Sequence, residues 1–100
     1  MDAAFTLTRL IEELGILVSE KDFEGGEELL SGAFGLFPKH EAFLHYQFGK
    51  MYVQWNKMSS ALVHLAKAAE LAKQAEDEVL TVQAVEELRT AKKLQALQAP

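Results

Sequence analysis

The residues of this chain best suited to proton transfer or metal ligation are three histidines, His40, His45 and His64. His40 and His45 are five positions apart, which does not align them on one helical face. No HExxH arrangement places two imidazoles and a general base together. His45 therefore reads as a packed or partly exposed histidine rather than a ligand. The acidic pairs Glu12-Glu13, Glu27-Glu28 and Glu86-Glu87 are adjacent in sequence, so on helices their members point in different directions. They read as solvated faces, not as acid–base couples. Gly25-Gly26 runs into two glutamates and lacks the Lys-Ser or Lys-Thr that a phosphate loop needs. Ser31, Ser59 and Ser60 sit in no nucleophile motif. Trp55 and its neighbouring aromatics, at helical spacing, read as core. The residues thus point away from an enzyme, with no catalytic residue, metal or cofactor expected.

Composition narrows the remaining classes. One hundred residues fit one domain, 1–100. A hydrophobic share of 49% against 25% charged is enough to build a core and argues against disorder. The absence of cysteine excludes disulfides, thiolate metal sites and a thiol nucleophile. A net charge of -5 with scattered basic residues disfavours nucleic acid, whose phosphates call for clustered Lys and Arg. The first twenty residues lack the basic start and long apolar stretch of a signal peptide, and no apolar run approaches the roughly 20 residues of a membrane span. A cytoplasmic protein with no membrane partner is the expectation.

The elements that must carry any site are helices. Only Pro38 and Pro100 are prolines, and no sustained apolar–polar alternation marks a strand. Leu7, Leu10, Ile11, Leu14, Leu17 and Val18 share one face of a first helix over about 3–19, with Gly15 inside it. A glycine there costs about 1 kcal/mol relative to alanine, which a close helix crossing would offset. Asp22 is positioned to cap a second helix over 23–36, which Pro38 ends. A third helix over 41–54 is apolar nearly all round. A fourth spans about 59–73. A fifth begins near Asp77 and carries a stripe of Val79, Leu80, Val82, Val85, Leu88, Ala91 and Leu94. Its acidic start (Glu76, Asp77, Glu78) and basic later turns (Arg89, Lys92, Lys93) both suit the helix dipole.

Gly15 and Gly49 lie 34 residues apart, each late in the first helix of a pair, and 34 is the tetratricopeptide period. The second pair resembles that family at Gly49, Tyr52, Ala61, Leu65 and Ala68; Lys73 stands where the family has proline. In the first pair Gly26, Leu30, Ala33 and Pro38 repeat the same spacings, Gly15 and Val18 also match, and the turn between the two helices is one residue short. Gln83 replaces the small crossing residue of a third repeat, so the last helix resembles a solenoid cap. The resemblance implies an all-α, right-handed solenoid of antiparallel helix pairs, about five helices in all. Repeat one spans about 8–39, repeat two about 42–75 and the cap about 77–97.

The resemblance further implies a protein–protein interaction module, an adaptor or small chaperone, whose first helices line a concave groove for a partner peptide or helix. Its groove positions fall on Arg9, Glu12, Ile16, Ser19 and Glu20 of the first helix and on Phe43, Tyr46, Gln47, Lys50, Val53 and Gln54 of the third. Phe43 and Tyr46 fit a core placement as well. The family's carboxylate clamp is not reproduced: Glu12 and Ile16 stand where it has lysine and asparagine, and Gln47 replaces its second asparagine. The alternative is a helical subunit of a fixed complex or a self-assembling homo-oligomer, because a short solenoid leaves apolar surface that a homodimer would cover.

Overall fold

A computed structural model describes residues 6–98. It contains five α-helices and, among the described residues, no strand: α1 (Leu7–Ser19), α2 (Phe23–Leu36), α3 (Glu41–Gln54), α4 (Met58–Gln74) and α5 (Glu78–Gln98). A single 3₁₀ turn, Pro38–His40, joins α2 to α3. The expected first turn of helix one, from Ala3 to Phe5, lies outside the described residues.

Local chemistry sets the helix starts. The Arg9 N–H donates to Thr6 Oγ1 at 3.2 Å and the Gly25 N–H to Asp22 Oδ1 at 2.9 Å. At the last helix the Leu80 N–H donates to Asp77 Oδ1 at 3.1 Å. Each cap satisfies an amide that has no partner in its own helix. Three of the four connections share one backbone device. Lys21, Asn56 and Glu76 take left-handed conformations, with φ of 60°, 59° and 58°. In the first, the Lys21 N–H donates to Val18 O and the Asp22 N–H to Leu17 O. The same pair of bonds recurs at Asn56-Lys57 and Glu76-Asp77. This is the Schellman arrangement, usually built on glycine. Here glycine is used the other way round, since all six glycines lie inside helices and none has positive φ.

The helices lie side by side in a slab measuring 51 × 34 × 16 Å. Its two broad faces are therefore open. Leu10, Leu30, Leu44, Met51 and Leu65 are the largest side chains sealed within it. The closest backbone approaches are α3 to α4 and α4 to α5. They are made by small residues: Ala61, Ala68, Ala72, Ala84 and Ala91 are fully buried. Gly49 completes the crossing, since a Cβ on it would overlap the Leu65 side chain. Gly26 lies equally tight, where a Cβ would sit 2.8 Å from Met51 Sδ and 3.2 Å from the Trp55 ring. Gly15 is different. It is exposed, and a Cβ there would meet nothing within 4 Å. The close crossing expected at Gly15 is absent, because α1 presents Leu10 and Leu14 to the core and turns Gly15 outward. Pro38 is also exposed and acts only as the stop between α2 and α3.

Helix α5 reaches one residue past the expected bound of about 97. It continues past Lys93 to Gln98, whose side-chain amide donates to Asn56 in the α3–α4 turn. Its last turn contains no basic residue. Arg89, Lys92 and Lys93 therefore sit within the helix, too far from its end for the dipole to account for them, because that effect fades beyond the terminal turn.

No helix among the described residues is long and apolar enough to cross a membrane.

Candidate partner-binding groove

Between α1 and α3 runs a groove of about 210 Å³. Helix α1 supplies Ile11, Leu14, Gly15 and Val18, and helix α3 supplies Gln47, Lys50, Met51 and Gln54. Each set follows the i, i+3, i+4, i+7 spacing of one helical face. Gly15 adds no side chain to this space, and a Cβ there would meet nothing within 4 Å. Gln47 is 9% exposed and forms part of the floor. Lys50 is the one formally charged side chain in this lining, and its ammonium lies 5.3 Å from the centre of the Tyr46 ring.

Val18 and Gln54 continue the surface into a wider mouth of about 550 Å³ at the end of the slab. There the α1–α2 and α3–α4 turns bring Lys21 and Lys57 beside Phe23, Trp55 and Glu24. The Phe23 and Trp55 rings are 4.7 Å apart, and the Lys57 ammonium sits 4.4 Å from the Phe23 centre. Groove and mouth together carry three lysines against one glutamate, on a chain whose net charge is -5.

The positions expected to line a groove divide. Gln47, Lys50 and Gln54 do so. Phe43, Tyr46 and Val53 are half-buried and pack against the core. The Tyr46 hydroxyl titrates above its ordinary range, through burial and then the nearby carboxylates of Glu87 and Glu86 on α5. On α1 the lining lies one residue away from the expected positions. Arg9, Glu12 and Ile16 are exposed but lie outside the lining, and Ile11, Gly15 and Val18 take the places assigned to Glu12, Ile16 and Ser19. One residue is a rotation of about 100° about the helix axis. Glu12 thus points away from the lining into solvent. Of the packing residues, Gly26, Leu30, Ala33, Gly49, Tyr52, Ala61, Leu65 and Ala68 are all buried.

A second cluster escaped sequence reasoning. His45 of α3 and His64 of α4 meet with their Nδ1 atoms 3.1 Å apart and their rings stacked at 26°. The pair lies among Phe34 of α2 and Phe48 and Tyr52 of α3. The Tyr52 hydroxyl donates to Glu27 at 2.5 Å, and burial followed by this bond pushes its pKa up to about 12. Burial lowers both histidines. For His45 the Glu41 carboxylate opposes that and Lys67 adds to it; for His64, His45 adds and Glu27 opposes. Two neutral imidazoles share one Nδ1–H, one donating and the other accepting. The signal that could have found them is the short α3–α4 turn, which folds the two helices back on each other and lets side chains from 45 and 64 reach one another. Among the described residues no group of three or more His, Asp or Glu could hold a metal ion.

Compared with family models, with curated proteins and with solved structures, the chain finds no match.

Proposed function

We propose that this chain is a protein-binding module of the tetratricopeptide type, an adaptor or small chaperone, in which repeat one is α1–α2, repeat two is α3–α4 and α5 is the cap. The α1–α3 groove takes a short partner segment bearing one apolar side chain and flanking carboxylates. The observation that carries this reading is the space at Gly15. A buried glycine at a helix crossing would be explained by packing, but this one faces an open groove floored by Met51, Leu14 and the amide of Gln47. An apolar side chain entering it would gain about 1.5–3 kcal/mol from burial. The amides of Gln47 and Gln54 can bond a peptide backbone, and Lys50, Lys21 and Lys57 favour an acidic flank. A binding role is favoured over catalysis because the titrating histidines bond each other within an aromatic stack.

The test is a random peptide display library panned on the wild type and on Gly15→Trp, whose indole fills the groove from an exposed position. The wild type should enrich apolar segments flanked by Asp or Glu, and Gly15→Trp should lose them while keeping its helical circular dichroism. Equal enrichment on both proteins would remove the groove from consideration. Lys50→Glu should shift the flanking preference away from acid.

A further inference from the structure

We propose that a second copy of this chain covers the outer face of α5, with the two α5 helices antiparallel across a twofold axis. This surface is separate from the groove, and the inference does not rest on peptide binding there. Val79, Val82 and Leu97 project from α5 with 70%, 55% and 82% exposure. They stand at the two ends of one face, with Glu86, Arg89 and Lys93 exposed between them. Beside Val82 a groove of about 550 Å³ opens at the α4–α5 turn, lined by Lys73, Glu76, Glu78, Thr81 and Val82.

Charge selects the occupant. The first half of α5 is acidic (Glu78, Glu86, Glu87) and the second half basic (Arg89, Lys92, Lys93). The helix dipole does not require this separation, since the basic residues are not in the last turn. Among the described residues, Glu86, Arg89, Lys92 and Lys93 form no ion pair within the chain. A parallel pairing would set Glu86 against Glu86 and lysine against lysine. An antiparallel pairing sets each acidic half against a basic half. With Val79 opposite Leu97 of the partner subunit, the axis falls at the level of Leu88. Glu86 then lies within a turn of Arg89 of the partner subunit, and the apolar ends meet each other. The paired stretch is about 27 Å long at 1.5 Å per residue. A twofold makes every such contact twice from one patch.

Because the chain has no cysteine, single-cysteine variants report register directly. In sedimentation velocity from micromolar to millimolar concentration the wild type should pass from monomer to dimer. Val82→Lys should weaken the dimer at least about tenfold by placing an ammonium beside Lys93 of the partner subunit. Under oxidation Arg89→Cys should link to itself, whereas Val79→Cys should link only when mixed with Leu97→Cys. Gly15→Trp, on another surface, should dimerise like the wild type. A monomer throughout, a dimer indifferent to Val82→Lys, or self-linking of Val79→Cys would each overturn the proposal.

Discussion

Gly15 and Gly49 are 34 residues apart and occupy the same position in α1 and α3, yet they do opposite things. Gly49 is a contact: the α4 side chain of Leu65 fills the place a Cβ would take. Gly15 is a gap on an exposed surface. The difference extends to their halves of the molecule. From α3 onward the helices approach closely through Gly49 and five fully buried alanines. The α1–α2 half is joined to the rest over shorter stretches, closely at Gly26 and otherwise through larger side chains such as Leu10, Leu14, Leu30 and Phe34. Small residues bring backbones together, and large ones hold them apart while still filling the space between. The groove lies where the looser half meets the tight one, between α1 and α3.

Three measurements would break or sharpen that contrast. The largest effect is expected at Gly49→Ala. The added methyl overlaps Leu65 in a packed crossing, a change that costs about 1–3 kcal/mol even after the gain in helix preference. A melting temperature within a degree of wild type would mean that the crossing is not tight.

Acidification comes next, because it acts where the two halves meet. The folded protein holds His45 and His64 below the ordinary value of 6.5, so the unfolded chain binds protons first as pH falls. Stability should therefore be full above about pH 6.5 and decline as pH drops through the lowered values, with two imidazolium rings whose centres lie 5.3 Å apart as the limiting state. His64→Phe keeps a ring in the stack and should flatten this decline. A pH profile that His64→Phe leaves unaltered would place the titration elsewhere.

The smallest effect has the opposite sign. Gly15→Ala adds a methyl to open space and removes a helix-interior glycine, so it should stabilise by up to about 1 kcal/mol. The same substitution thus lowers stability at one member of the glycine pair and raises it at the other. Destabilisation at both would erase the distinction between the halves.

Helix ends were legible in the sequence because their causes are local. Asp22 caps its helix and Pro38 stops one, so α2 and α3 begin and end where the residues indicate. The α3–α4 crossing was legible too, since Gly49, Ala61, Leu65 and Ala68 are small or apolar at spacings that only close packing explains. The rotation of α1 was not. Its apolar residues cover a face wide enough to accept either Ile11 or Glu12 at the groove edge, and contacts with α2 and α3 decide between them. The histidine pair was hidden for a related reason: it depends on the register of two helices, which no spacing within one helix reveals. In α5 the charge separation was legible, but its basic residues fall short of the last turn, so the dipole does not account for them.

The inverted use of glycine governs how this molecule moves. Its reversals at Lys21, Asn56 and Glu76 are pinned by paired backbone bonds in residues that give the unfolded chain less freedom than glycine would. Helix α2, with Gly25, Gly26, Gly32 and Gly35 in fourteen residues, carries the weakest intrinsic preference for its own conformation. Amide exchange should therefore be ordered by helix rather than by distance from a loop, with α2 opening early and α4 late. An opening of α2 would uncover Phe34 and Glu27 beside the histidine pair and release one wall of the aromatic stack, so that proton uptake and local unfolding become a single event.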